Sequence, residues 1–129
     1  MSPKKPARQV FDASAVLALL QGETGAEKLR QIQSEAVVNS VNVAEVLAKL
    51  VSYGMPATEA QAVFEALHLE VTPFEPAMAQ LSARYVHKGI SLGDRCFLAA
   101  SHMHGSGWTS DRDLRTLLGK IVPQLNYFR

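Results

Sequence analysis

Cysteine, aromatic residues and net charge are all scarce in this sequence. The 129 residues include a single cysteine, Cys96, carry a net charge of +1 and are only 7% aromatic. One cysteine can form neither a disulfide within the chain nor a thiolate metal site, which fits a reducing compartment. A net charge this small creates no strong overall field, so any nucleic acid would have to be recognised by a local patch.

Long apolar runs are missing as well. No run approaches the roughly 20 residues of a membrane span, and the basic, proline-containing start lacks the apolar segment of a signal peptide. We therefore expect a cytoplasmic protein without a membrane partner. An apolar content of 47% with 19% charged residues is typical of a globular domain. Residues 1–8 are predicted to form a flexible basic tail and residues 9–129 a single domain.

The apolar pattern alternates between short strand-like and longer helical runs. Strands are predicted at residues 9–11, 36–38, 69–72 and 107–109, with an edge strand at either 121–122 or 125–127. Between them lie helical patterns such as residues 43–53, and Thr58 is the expected N-cap of the next helix. Strands that alternate with helices favour parallel pairing with helices on both faces. The predicted fold is therefore α/β, a three-layer sandwich around a mostly parallel sheet.

Four acidic residues stand where such folds place their ligands. Asp12 directly follows the first predicted strand, Asp111 closely follows the fourth, and Glu45 and Asp94 lie near the beginnings of helices. Strand ends and the starts of the following helices share one rim of an α/β sheet, so the four acids are predicted to converge there. Asp12, Glu45 and Asp94 lie in apolar stretches, where a charge costs desolvation free energy unless it is paired or metal-bound. Taken singly, each could equally be a solvated acid or a helix cap.

A cluster of carboxylates requires protons or a cation. Two carboxylates about 5 Å apart repel by roughly 3 kcal/mol at an effective dielectric near 20, and this repulsion must be relieved for all four to be ionised. Oxygen ligands without histidine or cysteine favour Mg²⁺ or Mn²⁺ over Zn²⁺. Mg²⁺ held by carboxylates keeps coordination positions open for a phosphate. The pattern thus predicts metal-assisted phosphodiester hydrolysis.

The stretches around these acids resemble the four acidic motifs of PIN-domain ribonucleases and, within that superfamily, VapC-type toxins of bacterial toxin–antitoxin pairs. They are VFDASAVLALL at residues 10–20, VNVAEV at 41–46, SLGDRCFLA at 91–99 and WTSDRDL at 108–114. The resemblance covers about residues 9–127. It implies a parallel sheet of five strands, Mg²⁺-dependent cleavage of RNA, a cognate antitoxin and a homodimer.

The resemblance also implies roles for individual residues. Asp12 and Asp94 match the acids most directly tied to the metal, and Glu45 and Asp111 complete the quartet. Two hydroxyl residues match positions that orient these acids or a metal-bound water. They are Ser14 and Thr109.

Several neighbouring residues could support the site. Asp113 is a candidate fifth acid, and Arg95, Arg112 and Arg115 could bind RNA phosphates, since arginine grips phosphate with two parallel hydrogen bonds. For each arginine, a solvated or ion-paired role is equally consistent with the sequence. Cys96, inside an apolar helical stretch, is predicted to be a buried packing residue.

Two other functions are compatible with an acid after the first strand. One is a doubly wound phosphotransfer or phosphatase domain, but a phosphatase would place a second acid where this chain has Ser14. The other is a non-catalytic module that binds RNA or protein through a retained PIN-like site.

Overall fold

The computed structural model describes residues 7–129, apart from the side chain of residue 120. The predicted tail lies mostly outside this range, but Arg8 is the first residue of a strand and not part of the tail. The strands are β1 (Arg8–Phe11), β2 (Ala36–Asn39), β3 (Glu70–Thr72), β4 (Gly105–Thr109) and β5 (Leu125–Tyr127). The helices are α1 (Ala13–Gln21), α2 (Ala26–Ile32), α3 (Ser40–Ser52), α4 (Ala57–Glu65), α5 (Pro76–Ser82), α6 (Leu92–His104) and α7 (Asp113–Leu118).

The five strands form one parallel sheet in the order β3-β2-β1-β4-β5. The chain builds outward from β1 to β2 and β3, then crosses back to add β4 and β5 on the other side. The strand order therefore reverses between β1 and β4, which is where ligands bind in open α/β sheets. The predicted α/β sandwich is confirmed. The order also differs from the 2-1-3-4-5 order of receiver-type phosphotransfer domains.

Two apolar cores cover the two faces of the sheet. Val10 and Phe11 are adjacent in β1 and point into different cores, because side chains alternate along a strand. The Phe11 side is covered by α1, α2, α3 and α4. The Val10 side is covered by α5, α6 and α7. Cys96 is 1% exposed, which confirms its prediction as a packing residue.

Some predicted boundaries need correction. The helix predicted from residue 43 begins at Ser40, because the Asn39 side chain accepts hydrogen bonds from the first free backbone N–H groups. Thr58 lies inside α4, whose N-cap position is occupied by Pro56. The edge strand is residues 125–127, since residues 119–121 form a 3-10 turn.

The second helical layer lies very close to the sheet at β4. A Cβ atom on Gly107 would come within 2.7 Å of the Phe97 ring and 2.9 Å of the Leu125 side chain. The missing side chain lets α6 pack directly against β4. Among the described residues, no helix combines the length and apolarity needed to span a bilayer.

Candidate active site

Asp12 lies between the end of β1 and the start of α1. Its backbone N–H still donates to the carbonyl of Trp108 in β4, at 3.3 Å. Its side chain is the N-cap of α1: Oδ1 accepts from the backbone N–H of Ala15 at 2.9 Å and from the Ser14 hydroxyl at 2.6 Å. The carboxylate is therefore held in one orientation at the carboxyl end of the central strand.

Burial raises the pKa of Asp12 from 3.8 to about 6, because removing a carboxylate from water disfavours its charged form. Hydrogen bonds from Ser14, Thr109 and the backbone of Ala15 lower this pKa, and the negative charge of Asp94 raises it. The charged form of Asp12 is therefore harder to maintain than that of an exposed aspartate, and a nearby positive charge would stabilise it.

Asp94 lies in the first turn of α6, where it forms a capping box with Ser91. The backbone N–H of Asp94 donates to Ser91 Oγ at 3.2 Å, and the backbone N–H of Ser91 donates to Asp94 Oδ2 at 3.3 Å. The side chain is half-buried. Burial raises the pKa of Asp94, the bonds with Ser91 lower it, and the nearby charge of Asp111 raises it.

Removing the Ser91 hydroxyl should weaken α6 at its start. Because Ser91→Ala deletes the acceptor for the Asp94 N–H, we expect the free energy of unfolding to fall by about 1 kcal/mol. Urea denaturation in metal-free buffer measures this loss. Ser91→Asn retains a capping oxygen and should keep most of the stability; equal stability of the alanine and asparagine variants would contradict a capping role.

Asp111 lies in the turn after β4, and this turn is tied to the start of α1. The N–H of Asp111 donates to Thr109 Oγ1, and Asp111 Oδ1 accepts from the N–H of Asp113, both at 3.0 Å. Ser14 Oγ accepts from the N–H of Ser110 at 3.2 Å while donating to Asp12. The Ser14 hydroxyl thus links the end of β1 to the end of β4.

Glu45 differs from the other acids because its side chain is exposed. The apolar neighbours Val46 and Leu50 face the core, whereas Glu45 lies on the solvent side of α3. The expectation that Glu45 pays a desolvation cost is therefore wrong. Its carboxylate nevertheless accepts a hydrogen bond from Asn42 at 2.6 Å and lies against Gly93, next to Asp94.

The four acids share the edge formed by the carboxyl ends of the central strands. Asp94 interacts electrostatically with Asp12 on one side and with Asp111 on the other, and Glu45 lies against the residue before Asp94. Within residues 7–129, no three carboxylate, imidazole or thiol side chains are grouped closely enough to ligate one ion together. A cation at this edge would therefore find fewer than three of these side chains in a position to ligate it directly.

Two of the candidate phosphate-binding arginines lie beside β5. The guanidinium groups of Arg112 and Arg115 are 5.2 and 5.3 Å from the centre of the Tyr127 ring. Arg112 donates to the carbonyl of Arg129 and Arg115 to that of Leu125, both at 3.0 Å. Both side chains are exposed and use only part of their five N–H donors, so further donors remain for an anion.

The other two supporting candidates are placed differently. Arg95 is half-buried and donates to the carbonyl of Ile90 at 3.5 Å. Asp113 is exposed at the start of α7, where its backbone, not its carboxylate, contacts Asp111. The structure thus connects Asp113 to the site only through its N–H group.

The sequence profile of the PIN domain matches residues 10–117. The chain belongs to the PIN domain family. Among proteins of curated function, no sequence matches this PIN domain. The strand order and the acidic edge described above are features of a PIN domain.

Solved structures share this PIN fold at low sequence identity. The DNA-bound VapBC complex from Salmonella typhimurium has a TM-score of 0.73 at 14% identity, covering 96% of this chain and 100% of that one. VapBC2 from Rickettsia felis, bound to a promoter DNA fragment, has a TM-score of 0.72 at 10% identity, with coverages of 92% and 97%. A toxin–antitoxin complex from Klebsiella pneumoniae has a TM-score of 0.69 at 17% identity, with coverages of 94% and 98%.

Two residues of the PIN domain that contact Glu45 were given no role by the sequence reasoning. For Asn42 a signal was present, because it precedes Glu45 by three residues and this spacing brings side chains together on a helix. For Gly93 there was none. Its contact with Glu45 joins helices that lie far apart in the sequence.

Proposed function

We propose that this PIN domain is a Mg²⁺-dependent endoribonuclease, the toxin of a toxin–antitoxin pair, acting in the cytoplasm as a homodimer. The observation that carries the proposal is the gathering of Asp12, Glu45, Asp94 and Asp111 at the edge where the strand order reverses. The pKa of Asp12 is raised to about 6 and that of Asp94 is raised as well, and perturbed carboxylates that lie together are typical of active sites.

The donor set fits Mg²⁺, with Mn²⁺ as a substitute. All four side chains offer oxygen, and Mg²⁺ usually retains several waters while binding one or two carboxylates directly. Carboxylates that are not all close enough to bind one ion directly suit a Mg²⁺ ion that retains waters. A structural zinc site instead needs four direct protein ligands. Asp12 and Asp94 would hold the ion, with Glu45 and Asp111 completing its surroundings. When bound, Mg²⁺ activates water and stabilises the charge that develops on the phosphate.

Ser14 and Thr109 would position the carboxylates. The Ser14 hydroxyl donates to Asp12 and also holds the turn that carries Asp111, so it fixes two acids relative to each other. Thr109 is fully buried, accepts from the N–H of Asp111 and lowers the pKa of Asp12. Both hydroxyls therefore favour ionised acids in a fixed arrangement.

The substrate proposed for this edge is RNA. Arg112 directly precedes α7 and Arg115 lies within it, while Arg95 follows Asp94 on α6, so phosphates on either side of a scissile bond would meet positive charge near the acids. Asp113 could attract the ion from the rim as a fifth acid. The similarity to VapBC complexes supports a cognate antitoxin as a further proposal, whereas the homodimer is proposed from the resemblance of the acidic motifs alone.

Purified protein should cleave RNA only with a divalent cation. We expect activity with Mg²⁺ or Mn²⁺, none with excess EDTA, and a fall of at least about 100-fold for Asp94→Asn, because removing one site carboxylate costs several kcal/mol of transition-state stabilisation. Fluorescence from a quenched RNA oligonucleotide measures the rate. Asparagine can still accept the bond from Ser91, so the fold should survive.

Glu59→Gln is the matched control, since Glu59 is an exposed acid in the first turn of α4. It should cleave like the unmodified protein. Mn²⁺ binding without cleavage of any RNA would favour the non-catalytic binding module. Cleavage that persists in EDTA or in Asp94→Asn would refute the proposal.

A further inference from the structure

Two buried amides lie at the start of α3, directly beside the candidate active site. Asn39 and Asn42 are 0% and 1% exposed, although asparagine is usually found at the surface. Asn39 is the N-cap of α3: its Oδ1 accepts from the N–H groups of Val41 at 2.9 Å and Asn42 at 3.1 Å. Its side-chain oxygen is thereby committed to the helix backbone.

The two hydrogen bonds from the backbone to Asn39 Oδ1 determine the orientation of both amides. With Oδ1 of Asn39 facing N–H donors, its Nδ2 faces the other way and donates to Oδ1 of Asn42. The Nδ2 group of Asn42 must then face Glu45, where it donates to Oε1 at 2.6 Å, and the Gly93 carbonyl, at 3.2 Å. Rotating either amide by 180° would set donors against donors. The backbone N–H groups at the start of α3 thus fix the orientation of Asn39 and, through it, that of Asn42. As a result, the carboxylate of Glu45 faces a hydrogen-bond donor.

Gly93 makes room for the same carboxylate. A Cβ atom at this position would overlap the carboxyl carbon and both oxygens of Glu45. Gly93 has no positive φ angle, so the helix backbone does not require glycine there. Glycine in a helix is less favourable than alanine. The carboxylate of Glu45 therefore occupies the space that a Cβ atom on residue 93 would need.

We propose that Asn42 and Gly93 are positioning residues that hold the exposed Glu45 carboxylate beside Asp94 for cation binding. The inference rests on the proposed function. Without this clamp, a glutamate on the solvent side of a helix would sample many rotamers, and ordering it would oppose binding of the ion. Residues that hydrogen-bond to the ligands of a metal change the affinity for that metal by about 10- to 100-fold when they are removed.

Gly93→Ala is the decisive variant because it should separate stability from ion binding. Alanine favours the helix and obstructs only the end of a flexible side chain, so the urea midpoint in metal-free buffer should stay equal or rise. Displacing Glu45 should weaken Mn²⁺ binding by about tenfold, measured by calorimetry without RNA. Asn42→Ala should weaken Mn²⁺ binding to a similar extent.

Two controls separate positioning from general damage. In a Glu45→Ala background, Gly93→Ala should change Mn²⁺ affinity less than twofold, because there is no carboxylate to displace. Asn126→Ala, which removes from β5 an amide that donates to the Gly107 carbonyl of β4, should leave Mn²⁺ affinity unchanged.

The possible outcomes are distinct. If the unmodified protein binds Mn²⁺ and cleaves RNA while Gly93→Ala binds as tightly, the positioning role is wrong and the proposed function stands. A loss of the same size in the Glu45→Ala background also overturns the inference, because the effect would not pass through Glu45. Failure of the unmodified protein to bind Mn²⁺ overturns the proposed function and the inference together.

Discussion

Asp12→Asn should remove RNA cleavage and at the same time stabilise the protein at neutral pH. Cleavage falls because the amide carries no charge to hold a cation, and we expect a loss of about 1000-fold or more, equivalent to roughly 4 kcal/mol. The fold is preserved because asparagine is also a good N-cap and its oxygen can accept from Ser14 and Ala15. The gain in stability follows from the raised pKa of Asp12.

The sign of that gain follows from proton binding. Between pH 4 and pH 6 the folded protein keeps a proton on Asp12 that the unfolded chain has released, because the folded pKa is about 6 and the unfolded one near 3.8. Stability therefore decreases as the pH rises through this window and stays reduced above it. The difference of about 2 pH units corresponds to roughly 3 kcal/mol, which Asp12→Asn should recover in part or in full at pH 7.

Urea denaturation from pH 3.5 to pH 8 without metal measures this effect. The Asn variant should show a flatter profile between pH 4 and pH 6, with the remaining slope due in part to Asp94, whose pKa is also raised. Asp12→Ala is the control: it removes the charge and also the cap, so it should be less stable than Asp12→Asn by about 1 kcal/mol. If Asp12→Asn were less stable than the unmodified protein at pH 7, the pKa of Asp12 would not be raised in the folded protein.

Phe97→Ala should destabilise the fold strongly. Phe97 is fully buried on α6 and its ring lies against Gly107 of β4. Removing a buried phenylalanine ring leaves a cavity that a rigid sheet cannot fill, and the expected loss is about 3–5 kcal/mol. That is a large fraction of the 5–15 kcal/mol, as an order of magnitude, that a domain usually has.

The urea midpoint gives the loss, provided that the dependence of the unfolding free energy on urea is unchanged. Leu92→Ala on the same helix is the matched control, because Leu92 is 59% exposed and its truncation should cost less than about 0.5 kcal/mol. A loss below about 1 kcal/mol for Phe97→Ala would mean that α6 is not held against β4 by this ring.

Much of the architecture could be predicted because local patterns of apolar residues indicate the strands and helices. Short apolar runs that alternate with helical ones require a sheet with helices on both faces, and the observed order of elements follows them. The edge strand remained open in the sequence, because residues 121–122 and 125–127 are both short and apolar. The structure selects the second, which pairs with β4.

The candidate site was predictable only in part. Asp12 and Asp111 follow strands, so their shared edge follows from parallel pairing, and the structure places them there. Exposure could not be predicted in the same way: Glu45 has apolar neighbours in sequence but lies on the solvent side of α3. The contacts of Arg112 and Arg115 with Tyr127 were also beyond sequence reasoning, since they depend on how α7 packs beside β5.

The sequence by itself determined most of the elements, the parallel sheet and which four acids are candidates for the site, because periodicity and strand ends are local properties of the chain. Only the tertiary structure decided how exposed each acid is to solvent and which contacts fix its orientation. Asp12 became buried with a pKa of about 6, and Glu45 stayed exposed above Gly93. The physical reason is that desolvation and close contact depend on neighbours from distant segments, and no local pattern encodes which segments will meet.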